Sequence, residues 1–266
     1  MPIAHLPGRG VVRIVGPDRA RFLQGLVSND VAGPLPAWSA LLTPQGKWLF
    51  EFFVVPDGEA LLLECEAARA GELAAQLGKF RLRAKVALDV DRTRRVFAGW
   101  AAPAPAGAFA DPRLAEAGWR LVGEVAADAD AAAYDLHRLA LGLPDGARDL
   151  EAGKSILLEC GFDELNGVSW SKGCFMGQEL TARTRYRGLV KKRLVPVGIA
   201  GALPPPGAAL SQAGAEVGTM RSGREHIGLA LLRLEALERA APITWENSVL
   251  TPRVPGWMVL PQPRAA

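Results

Sequence analysis

The spacing of apolar and polar residues changes rhythm along the chain, and each change predicts an element. Val11-Val12-Arg13-Ile14-Val15 is a short, largely β-branched apolar run and predicts a strand. Gly16-Pro17-Asp18 then predicts a helix start, with a proline in the first turn and an acid at the positive end of the dipole. Phe22, Leu23 and Leu26 fall on its buried face. Leu41-Leu42, the turn Thr43-Pro44-Gln45-Gly46-Lys47 and the apolar runs 48–55 and 60–65 around Pro56-Asp57-Gly58 predict a strand meander. Leu73, Leu77 and Phe80 mark one side of a second helix. The Ala/Pro-rich stretch 101–107 predicts an exposed loop. Asp128-Ala129-Asp130 predicts a third helix, running to about Leu141 and ended by Gly142 and Pro144.

From Lys191 onward the texture is different. Short apolar runs at 194–199, 229–234, 243–245 and 257–260 are separated by clusters such as Pro204-Pro205-Pro206-Gly207, the pattern of a small β-barrel. The chain therefore reads as an α+β region over 1–190 followed by a C-terminal β-barrel over 191–266.

Composition narrows the classes without naming one. Nearly half of the 266 residues are hydrophobic and 22% are charged, an ordinary globular balance. A net charge of +3 implies no partner by itself. No apolar run reaches the length needed to cross a bilayer, and the N-terminus has neither a basic-then-apolar leader nor an Arg/Ser-rich presequence, so a cytoplasmic protein is expected. Cys65, Cys160 and Cys174 are odd in number and scattered, which suits a reducing compartment. With no Cys or His pair at ligand spacing, no intrinsic metal or cluster site is expected.

The densest chemistry surrounds Cys174, in Lys172-Gly173-Cys174-Phe175-Met176-Gly177-Gln178-Glu179. Gly173 and Gly177 flank the thiol and free the backbone to expose it in a tight turn, and the residues that follow can start a helix. A thiol beside Lys172 and near a helix N-terminus would be more thiolate-like, hence a better nucleophile or metal ligand. A lone cysteine without such flanks is more often a buried, inert residue.

This string resembles the signature of the YgfZ-type folate-binding proteins, relatives of the T-protein of the glycine cleavage system. The resemblance extends over most of the chain. Residues 16–30, with Phe22-Leu23-Gln24-Gly25-Leu26-Val27-Ser28-Asn29-Asp30, look like the family's first helix; Thr43-Pro44-Gln45-Gly46-Lys47 resembles its next turn; Arg138, Gly142 and Pro144 resemble its central stretch; and Leu158-Glu159 stands where the family shows Pro-Glu. The resemblance implies a ring of two interleaved N-terminal α+β lobes, divided near 90–100, plus the barrel, around a central tetrahydrofolate site. It also implies an accessory role in iron–sulfur cluster assembly or repair, with Cys174 as the functional thiol and a transient iron–sulfur ligand, and with assembly proteins or client enzymes as partners.

By the same resemblance Glu159 is the candidate to read the pterin, since a carboxylate accepts two parallel N–H bonds. Phe50-Glu51 occupies the place of the T-protein's aspartate pair, so Glu51 is a second folate candidate, while the altered pair shifts the expectation from aminomethyl transfer toward an accessory factor. A folate-dependent one-carbon transferase or oxidase stays open. Arg183, Arg185, Arg187, Lys191, Lys192 and Arg193 put six basic residues into eleven positions. They read as a solvated surface, as a landing site for the folate's glutamate tail led by Arg183 and Arg185, or as a patch for RNA, which keeps a folate-gated RNA-binding or tRNA-modification factor in view.

Overall fold

The computed structural model describes residues 2–261. The chain opens on β1 (Ile3–His5) and β2 (Arg9–Val15), which enter different sheets. Helix α1 (Arg19–Gln24) buries Phe22 and Leu23, as its spacing predicts, while Leu26, expected on the same face, lies past its end and is half-buried. Strands β3 (Ala37–Leu42), β4 (Trp48–Asp57) and β5 (Ala60–Glu66) form the meander; with β2 and β6 (Ala87–Asp91) they make a five-stranded sheet of order β3-β4-β5-β2-β6. Helix α2 (Ala70–Gly78) lays Leu73 and Leu77 against one face of that sheet. Trp38 and Phe53 point to the other face, and a shift of register between Leu41 and Leu42 in the β3–β4 pairing brings Trp48 to that face as well.

The second sheet pairs β1 with β7 (Val96–Gly99), then β9 (Trp119–Val122) and β8 (Phe109–Ala110). Because β1 precedes the first sheet in sequence but belongs to the second, the two halves of the α+β region are interleaved. Helix α3 (Ala131–Leu141) is capped by the Asp130 side chain, which accepts from the Ala133 N–H, and ends at Gly142 with φ of 77°. A Cβ at Gly142 would stand 2.9 Å from the Pro196 ring, so that glycine also lets α3 abut the barrel.

Helix α4 (Gln178–Tyr186) follows the signature, and the barrel begins soon after. Strands β10 (Lys192–Ala200), β11 (Ala209–Gln212), β12 (Ala215–Arg224), β13 (Ile227–Arg233), β14 (Ile243–Trp245) and β15 (Ser248–Pro252) close in the order β10-β13-β12-β11-β14-β15. Short α5 (Leu234–Glu238) sits between β13 and β14. The run 257–260 is not a strand: Trp257 instead donates its Nε1–H to the Leu141 carbonyl at 2.7 Å and wedges against α3.

Candidate functional site

Two features stand out, an anchored loop that carries Cys174 and a cavity walled by arginines. The loop is stitched to the segment after α1. Ser169 N–H donates to the Ser28 carbonyl and Met176 N–H to the Gly25 carbonyl, while Ser28 Oγ–H donates back to the Gly167 carbonyl at 2.7 Å. Phe175 is buried in the core, Gln178 turns its Oε1 back to the Phe175 N–H, and Cys174 is exposed.

Lys172 corrects an expectation. Its ammonium does not serve the neighbouring thiol but points inward, donating to the carbonyls of Val27 at 2.6 Å and Asn29 at 2.8 Å, with the Phe175 ring alongside. Burial pushes its pKa down to about 8, partly opposed by Asp30. Lys172 is thus a brace for the loop.

The two glycines also differ. Gly173 is exposed with open space around its Cα. Gly177 has φ of 79°, and a Cβ there would lie 2.5 Å from the Thr43 carbonyl oxygen and 2.8 Å from Gly46 Cα. Gly46, φ 81°, would in turn drive a Cβ to 2.6 Å from the Gly177 oxygen and from Leu180. The turn at 43–47 and the signature therefore touch backbone to backbone, which only glycine permits.

Beyond the loop, Glu179 pairs with Arg183 at 2.5 Å on the surface, and Arg185 lies over the Trp170 ring at 4.1 Å, 3.7 Å from Asp163. Arg193, grouped by sequence with the surface cations, is buried: it donates to the Leu158 carbonyl and pairs with Glu164 at 2.5 Å. The solvated-run reading fails for that residue because β10 turns it into the seam between α+β region and barrel.

The cavity, about 470 Å³, opens between β2, the end of β5, α3 and the 144–148 turn. Around Phe53 stand three guanidinium groups, Arg120 at 4.3 Å, Arg113 at 4.9 Å and Arg9 at 5.9 Å from the ring centroid. Each is consumed by acids. Arg120 grips Glu64 with two bonds of 2.6 and 2.7 Å, and Arg113 grips Asp111 with two of 2.7 and 2.9 Å. Arg9 reaches Glu64 at 2.8 Å and Glu51 at 2.5 Å. Tyr134 Oη accepts from Arg120 at 2.8 Å. Farther along, Arg138 donates to Asp135, Asp149 and Ser222, and Arg148 to Asp135 and Asp145.

Burial alone would raise the carboxyls here, and the guanidinium groups overcome it. Arg120 and Arg9 hold Glu64 below the ordinary range, Arg113 does the same for Asp111, and Arg138, Arg9 and Arg148 do so for Asp145.

The candidate carboxylates fall elsewhere than expected. Glu51 is buried behind the cavity wall, accepting from Arg9 and, at 2.7 Å, from Trp38 Nε1–H; it is not among the lining residues. Glu159 is half-buried on the 3₁₀ turn Leu157–Cys160 and does not line the cavity either. Arg183 and Arg185 belong to α4, and no residue of 169–187 reaches the cavity. The cavity's own residues, Arg9, Glu66, Arg113, Arg120, Tyr134 and Asp145, are ones the sequence did not single out. Only Arg138 and Pro144 of the family-like stretch gave a sign of them. Among the described residues, no group of three or more His, Cys, Asp or Glu is arranged to hold a metal ion.

Comparison with known proteins bears on the family and the fold. The chain is 34% identical over 95% of its length to the human mitochondrial iron–sulfur cluster assembly factor IBA57, covering 84% of that protein. It belongs to the IBA57 family. The mitochondrial IBA57 homologue of Mycosarcoma maydis is likewise 34% identical, across 90% of this chain and 75% of that one. Residues 191–260 match the family model of the CAF17 C-terminal beta-barrel domain. The aminomethyltransferase T of the Bartonella henselae glycine cleavage system superposes with a TM-score of 0.73 at 14% identity, over 97% of this chain and 86% of that one. The architecture is therefore the T-protein-like α+β fold with a C-terminal barrel. The family also corrects one expectation: these relatives are named as mitochondrial, which overturns a plain cytoplasmic assignment. Among the described residues no helix is long and apolar enough to cross a membrane.

Proposed function

We propose that this protein is an iron–sulfur cluster assembly factor that acts with other assembly proteins, and that Cys174 is its working thiol. The observation that carries the reading is the loop itself. It is clamped by Lys172, by backbone bonds to 25–28 and by the Gly46–Gly177 contact, yet leaves the thiol exposed in a chain of the IBA57 family. A single thiolate cannot hold a cluster, because iron–sulfur clusters take about four ligands. Cys174 then supplies one ligand to a cluster held mainly by a partner, and the cluster is cargo. Rigid presentation favours this use, since a pre-positioned ligand loses little conformational freedom on engagement.

The central cavity belongs to the same reading as the seat of a tetrahydrofolate-type ligand. Its volume suits a small heterocyclic ligand. Phe53 and Tyr134 are among its lining residues, and its arginines are already held in place by ion pairs with acids. Aminomethyl transfer draws no support, because the Glu51 carboxylate is already committed to Arg9 and Trp38.

The test of the thiol's role is Cys174→Ala in cells whose own IBA57-type protein has been depleted. Iron–sulfur enzyme activity should stay at the depleted level while the variant accumulates normally. Full restoration by the alanine variant would remove the thiol from the function.

A further inference from the structure

Between α2 and β6 the chain makes a loop whose base is built into the fold and whose tip is not. Phe80 and Ala84 pack against the core shared by α2 and the five-stranded sheet, and Val86 is buried in it. At the base the Lys85 N–H donates to the Asp18 carboxylate at 2.7 Å. The Lys85 carbonyl oxygen lies so close to Gly16, φ 113°, that a Cβ there would stand 2.1 Å from it. A turn closed by the Ala84 N–H on the Arg81 carbonyl, also at 2.7 Å, then throws Leu82 outward. Leu82 is 90% exposed, and its φ of 39° is in the left-handed region that leucine rarely enters. Around it Lys79, Arg81, Arg83 and Lys85 are all exposed. Lys79 bonds the Gln76 side chain, and none of the four takes part in an ion pair among the described residues.

We propose that the 79–85 loop docks the protein on an anionic lipid surface, with Leu82 entering the boundary between headgroups and acyl chains and the four cations lying at the level of the lipid phosphates. The proposal stands apart from the roles of Cys174 and of the cavity. An apolar tip ringed by basic side chains is what such a surface accepts, since Lys and Arg lay their stems along apolar material and keep their charged ends at the phosphates. An acidic protein fits worse, because protein interfaces are built on a packed apolar centre, and Leu82 is the sole large apolar side chain exposed within 79–85. RNA fits worse as well, because single strands reward an exposed aromatic for stacking and Phe80 is turned into the core. The anchored base presents the tip already ordered, so little freedom is lost on contact. Attachment through one leucine and four cations is reversible and weakens as salt rises.

The experiment is co-sedimentation of the full chain with vesicles of phosphatidylcholine alone and with vesicles in which about a third of the lipid is anionic phosphatidylglycerol. Leu82→Asn removes the apolar tip and suits the left-handed backbone, so it should melt at or above the parent. Arg81→Gln with Arg83→Gln removes two cations from the loop; Lys191→Gln with Lys192→Gln removes the same charge from an exposed site elsewhere, and thermal melts confirm that all fold. The expected result is binding to the anionic vesicles and not to the neutral ones, weakened about ten-fold by Leu82→Asn and about twenty-fold by the Arg81/Arg83 pair, and within about two-fold of the parent for the Lys191/Lys192 pair. No binding to anionic vesicles, or equal binding to both kinds, would overturn the proposal. Parent-like binding by Leu82→Asn would overturn insertion of the tip, and equal weakening by the two double variants would overturn the loop as the docking site. Binding of polyglutamate or polyuridylate that depends on Leu82, without binding of vesicles, would assign the loop to an acidic protein or to RNA and overturn the lipid surface.

Discussion

Lys172 and Cys174 lie two positions apart and do opposite work. The sequence places a cation beside a thiol and invites the reading that one activates the other. The backbone between them turns so that the ammonium enters the protein and the thiol leaves it. No local pattern could reveal this, because the carbonyls that receive the ammonium belong to Val27 and Asn29, far away in the chain. The two residues should separate cleanly in urea unfolding. Lys172→Met, which strips charged donors from two buried carbonyls, should cost about 1–3 kcal/mol. Cys174→Ala, at an exposed position, should stay within about 0.5 kcal/mol of the parent. Glu51 and Arg193 teach the same lesson: residue type and neighbours suggested ligand and surface, and distant partners put Glu51 behind the cavity wall and Arg193 in the seam.

Among elements, the contact of the 43–47 turn with the signature explains why two short, glycine-bearing motifs recur in one chain. Each glycine is in the left-handed region and each would drive a Cβ into the other's backbone. Gly46→Ala and Gly177→Ala should each lose about 2 kcal/mol or more, whereas Gly173→Ala should melt with the parent. Thermal melts of the three variants test this, and equal melting of all three would contradict the contact. Much of the element pattern was legible beforehand. Strand β2, the meander, the buried faces of α1 and α2 and the capped start of α3 follow from spacing and turn residues. Strands β11, β12 and β15 were not legible, because their buried apolar residues, Leu210, Val217, Met220 and Leu250, stand singly among polar or small ones and never form an extended apolar run. The opposite error came at 257–260, where an apolar run is a plug and not a strand.

Across the whole molecule, the arginine–carboxylate system ties both α+β halves to each other and to the barrel. Glu64, Asp111, Asp135 and Asp145 are all held below their ordinary values by guanidinium groups that outweigh burial. A carboxyl whose pKa is lower folded than unfolded adds stability above its unfolded value of about 4 and loses it as pH falls. The melting temperature should therefore hold from pH 7 to 5 and fall steeply below about pH 4; a flat profile down to pH 3 would contradict the network. None of this was visible in composition, where nearly equal counts of acids and bases say nothing of who meets whom. Arg138 joins the two ends of the system, since it lines the cavity and donates to Ser222 of β12, while Arg224 reaches back to Asp135. The barrel is consequently not an interchangeable module. A chimera that borrows it from another protein inherits the cavity's shape only if the graft also carries a hydroxyl and a cation at these two positions, so the two parts of the chain are bound to evolve as one.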